Sequence, residues 1–266
     1  MQIGFIGGGK MAEAIVAALI RSKLAGPHEI SAGDVSAERR RLLKERYGIN
    51  MYSRNRVVVS NAKVLVLAVK PQAMQEVLSE IAGEMTPEHL VISIAAGKRL
   101  AWLESILPKA RLVRVMPNMP AMVGHGMSVF CAGRGVTAVD RKTVQELLSS
   151  FGRVLELPET RFDLVTAVSG SGPAFLAYVV NGMIEMAVAE GLDRDDAGLL
   201  AVQTMQGTAR VLLDQGMDAR ALIQAVASPG GTTEAGLAVL EKSKMTAILR
   251  DTLKAAMQRS EALSKG

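Results

Sequence analysis

The sequence predicts an α/β protein in which a doubly wound, mostly parallel sheet is followed by an all-α half. Three observations predict it. In the first part, short apolar runs alternate with longer amphipathic ones, the pattern of a parallel sheet with helices on both faces. From Phe162 onward the spacing is helical throughout, with no convincing strand. A glycine-rich turn, Gly7-Gly8-Gly9, joins the first strand-like run directly to the first helix.

The expected strands are Ile3–Ile6, Ile30–Gly33, Val64–Val69, Leu90–Ile94, Leu112–Met116, Met127–Ala132 and Val154–Leu157. Each is a short apolar run that a buried parallel strand would use. Between most of them lie the helix candidates Lys10–Arg21, Ala37–Tyr47, Gln72–Glu84, Arg99–Leu107 and Asp140–Phe151. The helical half reads as Gly172–Glu190, Asp193–Asp214, Ala219–Ala227, Thr233–Lys242 and Met245–Ser264, with Asp193 and Asp218 as N-caps. The expected domains are therefore 1–160 and 161–266. The second is short and rich in Ala, Val, Leu and Met, so its helices are expected to bury their faces against a second copy of the chain.

Bulk properties narrow the function. Of 266 residues, 49% are hydrophobic and 21% charged, a globular balance. The net charge is +5, but the basic residues are dispersed and not interleaved with aromatic ones, which argues against nucleic acid and for a small anionic ligand. The single cysteine, Cys131, excludes an internal disulfide and a multi-cysteine metal site, and its apolar neighbours mark a buried thiol. The longest apolar helix candidate, starting at Pro173, is broken by Asn181 and Glu185 and reads as a core helix rather than a membrane span. The chain opens on a strand-like run, so no signal or transit segment is expected and the cytoplasm is the expected location.

The turn Gly7-x-Gly9-x-x-Ala12 carries the first chemistry. Gly7 permits a tight turn, Gly9 lets backbone approach a pyrophosphate, and Ala12 allows close helix packing, as in the Rossmann-type dinucleotide fold. The N–H groups opening the helix would then face the phosphates. At the end of the second strand, Asp34 is placed to take the ribose hydroxyls of NAD(H), whereas Ser36, Arg39 and Arg40 are placed to hold the extra phosphate of NADP(H). Asp34 and Ser36 are equally suited to cap the helix that follows.

Further turns fall at strand ends. Ala68-Val69-Lys70-Pro71 should lie beside the cofactor, although an exposed lysine such as Lys70 is ordinary there. Ala95-Ala96-Gly97 leaves room for a flat ring, and the prolines around Asn118 stiffen a turn that would aim its amide at the nicotinamide or its ribose. In the helical half, Ser228-Pro229-Gly230-Gly231-Thr232-Thr233 presents consecutive N–H groups and hydroxyls at a helix start, a receptor for a carboxylate. The plain alternative is a single N-cap at Thr232.

Taken together, GFIGGGKM at the N-terminus, AVKPQ, SIAAG, RVMPNMPA, SGSGPA and SPGGTT resemble the pyrroline-5-carboxylate reductase family across essentially all 266 residues. The resemblance implies a dinucleotide domain followed by a helical dimerisation domain, with an active site between them completed by the partner subunit. In many members the dimers assemble further into rings. It assigns Ile6, Gly7, Gly8, Gly9, Lys10 and Met11 to the pyrophosphate, Asn55 to the adenine ribose, and Ala68–Pro71 and Ala95–Gly97 to the rest of the cofactor. The loop from Ser228 through Gly230, Gly231 and Thr232 would hold the substrate carboxylate, and Thr233 would be the catalytic hydroxyl, bonded to the ring nitrogen. The chain departs from the family pattern at Met119, Phe175, Asn181 and Gln224, and carries Asp34 where a small neutral residue is common.

The implied reaction is hydride transfer from NAD(P)H to a cyclic imine, giving L-proline and requiring no metal. Two other readings are a two-domain hydroxyacid dehydrogenase and a non-catalytic nucleotide sensor. The first would want a lysine base, yet none lies between Phe162 and Glu241. The sensor would have no need of the Ser228–Thr233 loop.

Overall fold

The computed structural model describes residues 1–264. The first half contains β1 (Ile3–Ile6), α1 (Lys10–Arg21), β2 (Ile30–Gly33), α2 (Ala37–Tyr47), β3 (Asn50–Tyr52), α3 (Asn55–Ser60), β4 (Val64–Leu67), α4 (Met74–Ile81) and β5 (Leu90–Ser93). It continues with α5 (Leu100–Ile106), β6 (Arg111–Met116), β7 (Gly126–Ala132), α6 (Ala138–Ser149) and β8 (Gly152–Glu156). These strands form one sheet in the order β3-β2-β1-β4-β5-β6-β7-β8. Pairing is parallel except between β6 and β7. The chain thus crosses over between β1 and β4, and ligands of such sheets bind at the carboxyl ends beside that reversal.

Alternation along the strands builds two cores. Ile3, Phe5, Ile30, Val64, Val66 and Ile92 face one side and pack with Ile15 and Leu19 of α1 and Leu147 of α6. Ile6, Leu65, Leu67 and Val91 face the other and pack with Val58 of α3, Leu78 of α4 and Leu103 of α5. Both faces are covered, as a parallel sheet requires.

Four elements depart from the expectation. β3 and α3 were not expected. β3 is a three-residue edge strand with no fully buried position, so it has no alternation to read. α3 contains Val57-Val58-Val59, β-branched residues of low helix propensity, but Val58 and Val59 are buried and packing overrides propensity. The single helix expected over Gln72–Glu84 is α4 flanked by short 3-10 turns at Pro71–Ala73 and Ala82–Glu84. α6 starts earlier than expected because Thr137 and Asp140 form a capping box.

The helical half holds α7 (Phe162–Val165), a π-turn over Thr166–Gly170, α8 (Gly172–Ala189), α9 (Arg194–Asp214), α10 (Ala219–Val226), α11 (Thr232–Lys242) and α12 (Met245–Ser264). Asp193 accepts the N–H of Asp195, and Asp218 accepts those of Arg220 and Ala221, so both cap as expected. Two compact units result: Met1–Ser171 with the stretch from Ala256, and Gly172–Ala255. The last strand ends at Glu156 and helical structure begins at Glu159, whereas compactness divides the chain after Ser171 and groups the stretch from Ala256 with the first unit.

In the second unit α8 packs on α9, but little is buried. Of α8 only Val180 is buried, and Leu176, Tyr178, Met183 and Met186 are exposed. Among the described residues one helical stretch, Glu159–Ala189, is long and apolar enough to cross a membrane, and 6% of its apolar window is buried in the isolated chain. An apolar face of this extent marks an interaction surface.

Candidate active site

The dinucleotide end of the sheet is built from backbone. Gly7 adopts φ +96°, and a Cβ there would lie 2.8 Å from the Ala68 carbonyl oxygen, so β1 and the turn after β4 approach each other too closely for a side chain. Gly9 is the N-cap of α1 and no side chain caps the helix. Nothing lies within 4 Å of where its Cβ would be. Gly9 and Lys10 are exposed and Met11 half-buried, leaving the positive end of α1 open to an anion. This arrangement fits the pyrophosphate of a dinucleotide.

The end of β2 shows Asp34 and Ser36 in the capping role. The Asp34 carboxylate accepts the Gly8 N–H and the Ser36 N–H, each at 2.8 Å, so it ties the glycine turn to the start of α2. Ser36 is the N-cap of α2 and accepts the Arg39 N–H at 3.2 Å. Arg40 donates to the Asp34 and Val35 carbonyls at 2.6 and 3.0 Å. Arg39 is held between the Gly8 carbonyl and the Glu13 carboxylate. Asn55 opens α3 against Gly33 and donates to Glu80 at 2.7 Å.

The turn Ala68–Pro71 follows β4, with Lys70 exposed ahead of the 3-10 turn. Ala95 is buried, Ala96 exposed, and Gly97 adopts φ +75°. Asn118 differs from expectation. Its Oδ1 accepts the Met127 N–H at 2.8 Å and its Nδ2 donates to the Ser169 carbonyl at 3.2 Å. The amide expected to face the nicotinamide is committed to holding the turn after β6. Ser169 is 51 residues away in sequence, a partner that local pattern cannot reveal.

The first unit also holds a group the sequence reading missed. Arg114 on β6 is 4% exposed, pairs with Glu159 at 2.8 Å and lies over the Phe162 ring at 4.7 Å. Arg114 opens the RVMPNMPA motif, but its burial and its partner 45 residues away are tertiary, and an arginine in a strand reads as surface. Cys131 on the neighbouring strand is buried, and burial, with the Glu159 charge, pushes its thiol up to about 12. It stays protonated and is no nucleophile.

In the second unit, Ser228–Gly231 forms a tight turn in which Gly231 donates to the Ser228 carbonyl at 3.0 Å. Gly230 adopts φ +70° and donates to the Glu234 carboxylate at 2.7 Å. The N-cap of α11 is Gly231 with no side-chain cap, so the alternative of Thr232 as N-cap does not hold. Thr232 and Thr233 instead open the helix with their hydroxyls available, and Thr233 lines a groove of about 500 Å³ with Leu212, Ile223 and Leu237. An uncapped helix start with adjacent hydroxyls suits a carboxylate.

A doubly wound sheet with an open, glycine-built helix start defines a nicotinamide-dependent oxidoreductase. Residues 2–97 match the family model for NADP oxidoreductase, coenzyme F420-dependent, and residues 159–263 that for pyrroline-5-carboxylate reductase dimerisation. The chain is 41% identical over 265 residues to the pyrroline-5-carboxylate reductase of Methanosarcina acetivorans, covering 99% of this chain and 98% of that protein. It is 40% identical to that of Synechocystis, covering 100% and 99%. The solved structure of a pyrroline-5-carboxylate reductase from Coxiella burnetii superposes with a TM-score of 0.93 at 35% identity, over 100% of this chain and 99% of that one. The Plasmodium falciparum pyrroline carboxylate reductase, solved with NADP bound, gives 0.89 at 29% identity, over 99% and 98%. The chain belongs to the pyrroline-5-carboxylate reductase family.

Proposed function

We propose that this protein reduces 1-pyrroline-5-carboxylate to L-proline, the last step of proline biosynthesis, as a homodimer built through its helical half. The observation that carries the reading is the start of α11, where no side chain caps the helix and Thr232 and Thr233 bring backbone N–H groups and hydroxyls, behind the Gly230-Gly231 turn, to a small carboxylate. Ser228 shapes that turn through its carbonyl. NAD(P)H supplies the hydride when bound.

The chain's own residues bind and orient. Gly7, Gly8, Gly9, Lys10 and Met11, with Ile6 beneath them, receive the pyrophosphate; Asp34, Ser36 and Asn55 border the adenosine ribose. Ala68–Pro71 and Ala95–Gly97 line the path toward the nicotinamide, and Asn118 braces it. The protonated ring nitrogen donates its N–H to the Thr233 hydroxyl oxygen, which keeps the imine oriented. A protonated imine is already electrophilic, so positioning does most of the work, up to roughly 7–11 kcal/mol in favourable cases. The absence of any lysine from Phe162 to Glu241 argues against an alcohol dehydrogenase, whose reaction needs a base there.

The exposed apolar face of α8 is covered by a second copy rather than by lipid, a reading supported by the dimerisation model matched to residues 159–263. Assembly of dimers into a ring, a cytoplasmic location and no dealings with nucleic acid complete the proposal. NAD(P)H oxidation with pyrroline-5-carboxylate tests it. Turnover of a hydroxyacid but not of the imine would overturn the reading, as would dinucleotide binding with no turnover at all. Thr233→Ala should lower kcat about 10²-fold or more while leaving dinucleotide affinity unchanged; an unaltered rate removes Thr233 from the reaction.

A further inference from the structure

We infer that Glu13 sets the discrimination between the phosphorylated and unphosphorylated dinucleotides by holding Arg39 neutralised beside the 2′ position of the ribose. This rests on the dinucleotide site proposed above.

Glu13 lies in the first turn of α1, the helix that begins at the glycine turn. Its carboxylate pairs with Arg39, with Arg46 at 2.9 Å and with the Tyr47 hydroxyl at 3.1 Å. Arg39 and Arg46 both belong to α2, so one acid binds two cations of the neighbouring helix. Joining α1 to α2 would need only one of them. The side chains of Glu13 and Arg39 are 15% and 23% exposed, so solvent screens the pair weakly.

Position makes this more than a clamp. Arg39 also donates to the Gly8 carbonyl, which fixes its guanidinium along the glycine turn. It stands one helical turn after Asp34-Val35-Ser36, at the end of β2, where a sheet of this order receives the adenosine ribose. Arg40 stands on the same turn, donating to the Asp34 and Val35 carbonyls. A 2′-phosphate would meet the Asp34 carboxylate there, and Arg39 is the cation already fixed against the turn to offset it. Glu13 cancels that cation. Removing the Glu13 charge releases positive potential toward the pyrophosphate that both dinucleotides share and, in addition, toward the 2′-phosphate that only NADP+ carries.

The test is calorimetric titration of NADP+ and NAD+ into wild type and Glu13→Gln at low salt, without turnover. Gln keeps the shape and an acceptor for Arg39 and removes only the charge. The NADP+ dissociation constant should fall about three- to tenfold further than that of NAD+. Adding Arg39→Gln should abolish the gain. Equal shifts for both dinucleotides, no shift, or a gain that survives Arg39→Gln would overturn the inference. If Glu13→Gln does not fold, Arg39→Gln alone should weaken NADP+ more than NAD+, and an equal loss overturns it. Wild type that binds neither dinucleotide defeats the functional reading itself.

Discussion

The Oε1 atom of Glu159 lies 2.8 Å from the buried guanidinium of Arg114 and accepts the Leu100 N–H at the same distance. One carboxylate oxygen therefore joins β6, the start of α5 and the segment entering the helical half. Removing a single partner of a buried pair leaves an uncompensated charge. Glu159→Ala should destabilise the fold by about 3–5 kcal/mol in urea denaturation, and Arg114→Met less, because Glu159 is 28% exposed and can rehydrate. Equal losses from the two single changes would contradict this asymmetry.

Gly7→Ala adds a Cβ 2.8 Å from the Ala68 carbonyl at φ +96°, a conformation that alanine adopts only with strain. The glycine turn must open. Affinity for NAD(P)+ should drop tenfold or more, about 1.4 kcal/mol at least, while the far-ultraviolet dichroism stays native. Calorimetry reads the affinity directly.

Gly231→Ala acts in the other unit. Its Cβ would displace the Ser228 hydroxyl and lie 3.0 Å from the Ser228 carbonyl, so that hydroxyl must rotate and the turn ahead of α11 must give slightly. The expected outcome is a KM for pyrroline-5-carboxylate raised about tenfold or more, with dinucleotide binding unchanged, if the loop holds the substrate carboxylate as proposed. A parallel loss of cofactor affinity would show that the substitution had disturbed the whole fold.

Cys131 gives a dependence on pH with a definite sign. Burial raises its folded-state value to about 12 from an ordinary 9.0, so the folded chain keeps a proton that the unfolded chain releases. That contribution is complete below 9.0 and lost as pH climbs toward 12. Cys131→Ala should therefore flatten the alkaline fall in stability across that window, measured as denaturation midpoint against pH. At about pH 8 the native thiol should resist alkylation and react only on unfolding.

What the sequence revealed was whatever depends on backbone and period. The glycine turn, the apolar run Ile3–Ile6 that becomes β1, and the caps at Asp193 and Asp218 are local, and local reasoning reaches them. What it missed is tertiary. α3 is a helix because Val58 and Val59 are buried against the second face of the sheet, not because valine favours helices. Asn118 faces Ser169 and Met127 rather than a ligand, through contacts invisible to a reading along the chain. Thr232 reads as a cap, yet Gly231 takes that place and frees the hydroxyl. Asp34 anchors the glycine turn, since both its oxygens accept backbone N–H groups, a role that its place at a strand end does not reveal.

The bare flank of α8, with Tyr178 82% exposed and Met186 63%, has a kinetic consequence. A newly made chain can complete its sheet alone, because both sheet faces are covered from within the same polypeptide. Its helical half gains its remaining stability only on collision with a sister chain. Recovery of the finished enzyme from denaturant is then a bimolecular event, slower the more dilute the protein, while the sheet regains its structure at a rate indifferent to concentration.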